Sequence, residues 1–210
     1  MKVNGAIFNY SQYMDWLSNL VSQGKTSGKN QSAALIQFTG LNLKRMERLN
    51  KTIEIENSIL DALASIEDKQ IWYVVAEVWC GDCAQNLPVI GIIAELSNGL
   101  IDLRIIQRDE NPKWIEKYHT NGAKAIPKLI SFNAFGQELF TWGARPKPAQ
   151  ELLNSWKKYP EGKSWDEFET QLHTWYAKDK TKTQQTEFCE ILQSINQINK
   201  VGKANFVSNN

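Results

Sequence analysis

The chain has 210 residues, of which 42% are hydrophobic, and its 24 basic and 23 acidic side chains leave a formal net charge of +1. The apolar content is enough to bury a core, which excludes a wholly disordered chain. The balanced charge gives no electrostatic reason to expect a nucleic acid or a membrane as a partner.

The N-terminus and the cysteines predict a cytoplasmic protein. The short apolar run Ala6–Phe8 is followed by polar residues and lacks the length of a signal peptide. The longest apolar run, residues 71–76, is far shorter than a membrane span. Of the three cysteines only Cys80 and Cys83 are close in sequence, which is typical of a reducing compartment with a catalytic pair.

Two amphipathic helices are predicted in the first fifty residues. The first has Asn9 as its N-cap with Gln12 three residues later, and Gly24 ends it. Its apolar positions at helical spacing are Tyr10, Tyr13, Met14, Leu17, Leu20 and Val21. The loop that follows, residues 24–31, is predicted to be a solvated turn. The second helix spans Ser32–Leu49, and its basic cluster indicates a solvated face or, less often, a contact for an acidic partner.

The middle of the chain predicts a βαβ unit. Thr52–Ile55 alternates like a short edge strand, and Ile59–Ile66 returns to helical spacing. Ile71–Trp79 is almost continuously apolar, as in a central strand that is covered on both faces. Cys83–Leu96 is the next helix and Ile101–Gln107 the next strand, and such a connection is right-handed by rule.

The remaining elements are two helices, an antiparallel strand pair and a helical C-terminus. Pro112–Tyr118 predicts a short helix, residues 127–132 and 137–142 the strand pair, and Pro148–Lys158 a closing helix. Ser164 and Glu167 form a capping box for the following helix. The apolar positions of that helix are Trp165, Phe168, Leu172, Trp175 and Tyr176.

A polar break at Asp179–Gln185 precedes a final amphipathic helix, whose apolar positions are Phe188, Ile191, Leu192, Ile195 and Ile198. Cys189 falls on the polar side of this helix and is expected to be inert. The helical extensions, residues 1–51 and 160–210, most simply pack on the central part of the chain. Pairing of two chains in a dimer is the alternative.

Cys80-Gly81-Asp82-Cys83 lies where the buried strand ends and the next helix begins. The amide groups of a helix N-terminus favour an anion, and the thiolate is the form of cysteine that attacks disulfides. Cys80 is therefore the expected nucleophile. Cys83 lies one turn further on, where it can resolve a mixed disulfide by intramolecular attack.

Two other uses of a cysteine pair fit the sequence less well. A structural zinc site needs four ligands, and the chain offers only Cys189, His119 and His173 besides the pair, so no metal or other cofactor is expected. A structural disulfide over so short a loop would constrain the unfolded chain little.

The motif Trp79-Cys80-Gly81-Asp82-Cys83 after a buried strand resembles the active site of bacterial thioredoxins. The likeness covers residues 52–159. After the motif it continues in the helix proline Pro88 and in Asp109-Glu110-Asn111-Pro112. It then continues, after three inserted residues, in Gly122–Pro127 and in the final hairpin. It implies an α/β thioredoxin-like fold with a central mixed sheet flanked by helices, here with extra helices at both termini. It also implies a cis Ile126–Pro127 bond beside Cys80, with Trp79, Ile126 and Pro127 forming the substrate surface and the Ile126 backbone free to pair with an extended substrate.

The sequence departs from the thioredoxin pattern at two positions. Val74 stands where thioredoxins carry a buried aspartate that assists proton transfer at the second thiol. Glu77 is a possible substitute, although its side chain is expected on a different face. Asp82 replaces a proline between the cysteines, where it would oppose a nearby thiolate but also favour the helix N-terminus. Lys124 and Lys128 could offset its charge, so the net effect stays open.

The sequence thus predicts a thiol–disulfide oxidoreductase that acts on protein or small-molecule disulfides and is served by an unidentified electron donor. The rival is a non-catalytic protein-binding module on a thioredoxin scaffold, which Val74 and the long extensions favour. The two differ in whether Cys80 lies in a groove beside Pro127 or under a terminal helix.

Overall fold

Five strands form one mixed sheet in a computed structural model that describes the backbone of residues 1–208 and the side chains of residues 1–197. In chain order the strands are β1 (Ile7–Phe8), β2 (Gln70–Ala76), β3 (Ile101–Gln107), β4 (Lys128–Asn133) and β5 (Glu138–Gly143), and in space their order is β1-β3-β2-β4-β5. Strands β2 and β3 are parallel, and the other pairs are antiparallel. The predicted α/β class with a central mixed sheet is confirmed.

Eight helices surround this sheet within the described part of the chain. They are α1 (Tyr10–Ser22), α2 (Ala33–Thr52), α3 (Asn57–Ala64), α4 (Gly81–Leu96), α5 (Pro112–Lys117), α6 (Lys147–Lys158), α7 (Trp165–Asp179) and α8 (Lys182–Ser208). Both predicted capping boxes are present, at Asn9 with Gln12 and at Ser164 with Glu167. Among the described residues no helix is long and apolar enough to cross a membrane.

The predicted edge strand at Thr52–Ile55 is wrong. Helix α2 runs through Thr52, and Ile53 and Ile55 alternate because both pack against the core from an irregular connection. The edge of the sheet is instead β1, in which Ile7 pairs with Ile106. Two residues are too few to show a strand period, so the sequence pattern carries no signal for β1.

The predicted polar break at Asp179–Gln185 is also much shorter than expected. Helix α7 ends at Asp179 and α8 begins at Lys182, so Lys180 and Thr181 alone make the connection. Both have positive φ values, 52° and 67°, and this left-handed backbone turns the chain sharply.

The helical extensions at both ends contribute to the main hydrophobic core. Tyr13 and Leu17 of α1 and Met46 of α2 are buried in it. From α8, Phe188 stacks on Trp72 of the central strand, with ring centres 5.6 Å apart. Cys189 is buried too, with its thiol donating to the Ser58 carbonyl at 3.4 Å, so its predicted polar position is wrong. The side chain of Ile198 lies outside the described residues.

Helices α6 and α7 form a second, smaller cluster. Its buried side chains are Ala149, Leu153, Phe168, Leu172 and Tyr176. Tyr176 also reaches the first turn of α4, where its hydroxyl contacts Asp82. The second cluster therefore joins the C-terminal extension to the segment that carries the cysteine pair.

Candidate active site around Cys80 and Cys83

Cys80 is the N-cap of α4, and its sulfur accepts a hydrogen bond from the Cys83 amide at 3.4 Å. The turn that leads into the helix is anchored by Asn42 of α2, which donates to the Val78 carbonyl at 2.8 Å. Cys80 is half-buried and Cys83 is buried. The strand-to-helix junction thus leaves the first thiol partly exposed and buries the second.

Burial raises the pKa of the Cys83 thiol well above its usual value, and its hydrogen bond to the Cys80 sulfur adds to that rise. A backbone hydrogen bond from Glu77 acts in the opposite direction but is the weaker effect. At neutral pH Cys83 is therefore protonated.

The Ile126–Pro127 peptide is cis, as the resemblance implies, and its carbonyl side faces the first thiol. The Cys80 thiol donates to the Ile126 carbonyl at 3.4 Å. Pro127 is the residue immediately before β4, because that strand begins at Lys128.

Cys80 opens into a pocket of about 340 Å³. Its lining includes Trp79, Cys80 and Ile126, together with Leu35 and Phe38 of α2 and Trp165 and Glu169 of α7. Both extensions therefore border the site without covering it. Over Trp79 lies the guanidinium of Arg108, 4.8 Å from the ring centre, which also pairs with Asp109 at 2.9 Å.

Asp82 is buried, and its charge is met by partners that lie far away in sequence. Its Oδ2 lies 2.5 Å from Nη2 of Arg145, and its Oδ1 accepts a hydrogen bond from the Tyr176 hydroxyl at 2.9 Å. Burial raises the pKa of Asp82, while Arg145 and Tyr176 act in the opposite direction.

The two lysines that the sequence suggested as partners of Asp82 have other surroundings. Lys124 pairs with Glu116 at 2.8 Å. Lys128 is buried in β4, and burial lowers the pKa of its ammonium group. The charge of Asp82 is therefore offset by Arg145, which sequence reasoning did not identify.

Glu77 is fully buried beside the site. Its carboxylate accepts a hydrogen bond from the Ser27 hydroxyl and one from the Asp109 amide at 3.0 Å. Burial raises the pKa of Glu77, and these bonds oppose the rise. Ser27 and its neighbour Thr26 are only 3% exposed, whereas residues 24, 25 and 28–31 are exposed. The predicted solvated turn is therefore confirmed except at Thr26 and Ser27, and Ser27 is buried against the Glu77 carboxylate.

Among the described side chains, no group of three or more His, Cys, Asp or Glu residues is placed to hold a metal ion. The cysteine pair places one half-buried sulfur, one buried sulfur and the Ile126 carbonyl close together.

The thioredoxin family model matches residues 28–157, more than half of the chain. The chain belongs to the thioredoxin family. It is 35% identical to thioredoxin 1 of Nostoc sp. over 69 residues, which are 33% of this chain and 62% of that protein. It is 31% identical to the thioredoxin of Synechocystis sp. over 81 residues, which are 39% of this chain and 71% of that protein.

Two solved structures share the fold over most of the chain. A protein of unknown function from Pseudomonas aeruginosa has a TM-score of 0.55 and 17% identity, with 89% of this chain and 98% of that one covered. An HIV epitope-scaffold has a TM-score of 0.54 and 18% identity, with 84% and 97% covered. At these identities the likeness establishes the fold alone.

Several further contacts border this site, and sequence reasoning found none of them. His173 of α7 packs on Gly81, since a Cβ added at Gly81 would lie 3.1 Å from its imidazole. The Nδ1 atom of His173 lies 3.2 Å from Nε2 of Gln85. Arg45 reaches the same place from α2 and is bonded to Asn42 at 2.9 Å. The only sequence signal for these contacts was a polar or charged side chain on an amphipathic helix. Such a side chain is equally compatible with exposure to solvent.

Proposed function

We propose that this protein is a thiol–disulfide oxidoreductase in which Cys80 is the nucleophile and Cys83 the resolving thiol. The observation that carries the proposal is the position of the Cys80 sulfur. It lies at the N-terminus of α4, opens into a pocket and contacts both the Cys83 amide and the Ile126 carbonyl. A helix N-terminus favours the thiolate that disulfide exchange requires.

The reaction has two exchange steps. The Cys80 thiolate attacks one sulfur of a substrate disulfide, forms a mixed disulfide, and releases the other substrate sulfur as a thiolate that takes up a proton. Cys83 then loses its proton and attacks the Cys80 sulfur, which breaks the mixed disulfide and releases the second substrate thiolate. Two electrons pass to the substrate, and an external dithiol reductant restores the pair.

The pocket supports a substrate that presents an extended backbone or a small disulfide. The Ile126 backbone borders Cys80, and Trp79, Phe38 and Trp165 add apolar surface around it. A strand-like segment can pair with such a backbone edge. The cytoplasm, which is kept reducing, suits a protein whose three cysteines include only one close pair.

A second candidate function is a protein-binding module with silent thiols. Val74, which is fully buried in β2 between Leu129 and Ile105, places no acid at the position that assists the second thiol in thioredoxins. The walls that α2 and α7 add to the pocket also suit a binding role.

Reduction of insulin with dithiothreitol as the electron donor separates these two functions. The wild-type protein should accelerate the reaction, Cys80→Ser should abolish the acceleration, and Cys83→Ser should accumulate a mixed disulfide detectable by mass spectrometry. Cys189→Ser, which changes a buried thiol outside the pocket, is the matched control and should retain activity. A wild-type rate equal to that of dithiothreitol alone would favour the binding module.

A further inference from the structure

The acid between the two cysteines is enclosed by residues from two distant parts of the chain. Arg145 lies just after β5, and Tyr176 lies near the end of α7. The Asp82 and Arg145 side chains are only 9% and 10% exposed, so water screens their contact weakly. A buried charge is tolerated when it is paired and hydrogen-bonded, and Asp82 meets both conditions.

Both partners direct their donors at Asp82. The Tyr176 hydroxyl accepts a hydrogen bond from Asn86 at 3.1 Å and donates its proton to Asp82 at 2.9 Å. Nη2 of Arg145 forms an ion pair with the Asp82 carboxylate, and Nη1 of Arg145 donates a hydrogen bond to Oε1 of Gln150 at 3.3 Å. Its Nε has no hydrogen-bond partner among the described residues. Among the described residues, Asp82 is thus the only carboxylate that forms an ion pair with Arg145.

Asp82 is the second residue after Cys80, in the first turn of the helix whose N-terminus faces that sulfur. An uncompensated carboxylate there would repel a thiolate on Cys80 and destabilise the reduced pair. A carboxylate paired with a guanidinium at 2.5 Å has no net charge and therefore exerts a much weaker effect at the sulfur.

We propose that Arg145 and Tyr176 are positioning residues that set the redox potential of the Cys80–Cys83 couple by compensating the charge of Asp82. This inference rests on the proposed function, because it presumes that the pair cycles between dithiol and disulfide. Helix α7 then takes part in the redox site, because its residue Tyr176 is one of the two groups that contact the Asp82 carboxylate.

The test is equilibration of the purified full-length protein with mixtures of reduced and oxidised glutathione at pH 7. In this equilibrium two glutathione thiols reduce the Cys80–Cys83 disulfide and become one glutathione disulfide, so electrons balance. Alkylation of free thiols followed by mass spectrometry gives the fraction of each form. The variants are Arg145→Met, Tyr176→Phe, Asp82→Asn and the double variant Asp82→Asn/Arg145→Met.

Arg145→Met should shift the equilibrium constant toward the disulfide by up to about tenfold, because Asp82 is then an uncompensated negative charge beside the Cys80 sulfur. Tyr176→Phe should shift it the same way by a smaller factor, because only a hydrogen bond is lost. Asp82→Asn should shift it toward the dithiol, since Arg145 then adds an unpaired positive charge. The double variant removes both charges and should return to within about threefold of wild type.

Arg104→Met is the matched control. Arg104 also pairs with an aspartate, Asp102, at 2.6 Å, but the pair lies outside the pocket, so its loss should leave the equilibrium constant unchanged. The melting temperature of each reduced variant checks that it is folded. If Arg145→Met does not fold, Tyr176→Phe and the difference between Asp82→Asn and the double variant, which isolates the charge of Arg145, decide the question.

The inference is overturned if the folded variants all equilibrate within twofold of wild type, which would leave Arg145 and Tyr176 a purely structural role. A shift of Tyr176→Phe or Arg145→Met toward the dithiol would overturn it as well. Failure of the proposed function looks different, because the wild-type protein would then reduce insulin no faster than dithiothreitol alone.

Discussion

His173 shows how one half-buried titratable residue links helix α7 to the site. It packs against Gly81 and Gln85, and burial, Arg45 and Arg145 lower its pKa from 6.5 to about 4. Two cations, Arg45 and Arg145, therefore face the His173 imidazole, which is neutral at neutral pH. Its folded-state pKa lies below its unfolded value, so the folded state binds fewer protons. The stability it contributes is present above pH 6.5 and is lost as the pH falls from about 6.5 to 4.

Between pH 7 and pH 4.5 the wild-type protein should therefore lose about 1–2 kcal/mol more unfolding free energy than His173→Gln, after allowance for the partial exposure of the imidazole. Glutamine keeps a polar group near Gln85 but does not titrate. Urea unfolding of both proteins at the two pH values measures the difference. Parallel losses in the two proteins would contradict a low pKa for His173.

Tyr13 has a buried hydroxyl with no hydrogen-bond partner among the described residues. Burial is the main cause that raises its pKa, and negative charge on Cys83 and Glu77 adds to the rise. Tyr13→Phe should raise the unfolding free energy by about 1 kcal/mol, because it removes an unpaired polar atom from the core. Urea unfolding measures this change.

Tyr10→Phe is the matched control on the same helix. The Tyr10 hydroxyl is bonded to Asn50 at 2.7 Å, so its removal should lower the unfolding free energy by about 0.5–1 kcal/mol. Equal effects of the two substitutions would show that the Tyr13 hydroxyl has a partner in solution.

At the scale of elements, α4 is buried by the rest of the protein over most of its surface. Ten consecutive residues from Asp82 to Gly91 are buried, so the helix shows no amphipathic stripe. One of its close contacts is with α1: a Cβ placed at Gly91 would lie 2.4 Å from the ring of Tyr10. Gly91 thus allows the N-terminal helix to approach the active-site helix.

Gly91→Ala should therefore destabilise the protein by about 1–3 kcal/mol, since the aromatic ring must move to admit the methyl group. Gly40→Ala is the matched control, because Gly40 lies inside α2 with open space around its Cα. That substitution should stabilise the protein by up to about 1 kcal/mol through helix propensity. Equal signs for the two substitutions, measured by urea unfolding, would refute the close approach of α1 and α4.

At the scale of the whole molecule, the helical extensions and the central region share one core. Tyr13, Leu17 and Met46 from the N-terminal side and Phe188 and Leu192 from the C-terminal side are buried with the sheet. Their apolar area stabilises the folded state by roughly 25 cal/mol per Å². We infer that the central region does not reach its full stability without them.

A fragment of residues 52–159 should accordingly unfold at a clearly lower urea concentration than the whole chain, or fail to stay soluble. Phe135→Ser in the whole chain is a suitable control, because Phe135 is 90% exposed and its loss should leave the midpoint unchanged. Equal unfolding midpoints for fragment and whole chain would show that the extensions are independent appendages.

Local signals in the sequence determined much of this protein. The βαβ unit, the N-caps at Asn9 and Ser164, the Cys80–Cys83 spacing and the position of Pro127 all depend on neighbours within a few residues. For that reason periodicity and caps predicted the βαβ unit and the placement of the thiols at the start of α4, while the resemblance to thioredoxins implied the fold class.

Only the tertiary structure decided which distant side chains meet at the thiols. The partners Arg145 and Tyr176 of Asp82, the Ser27 hydroxyl on Glu77 and the strand β1 are absent from any local pattern. An isolated arginine or serine on a polar stretch fits solvent exposure as well as burial. Its partner is selected when α2, α7 and the segment after β5 pack around α4, because a buried charge then has to find the one group within reach that can compensate it.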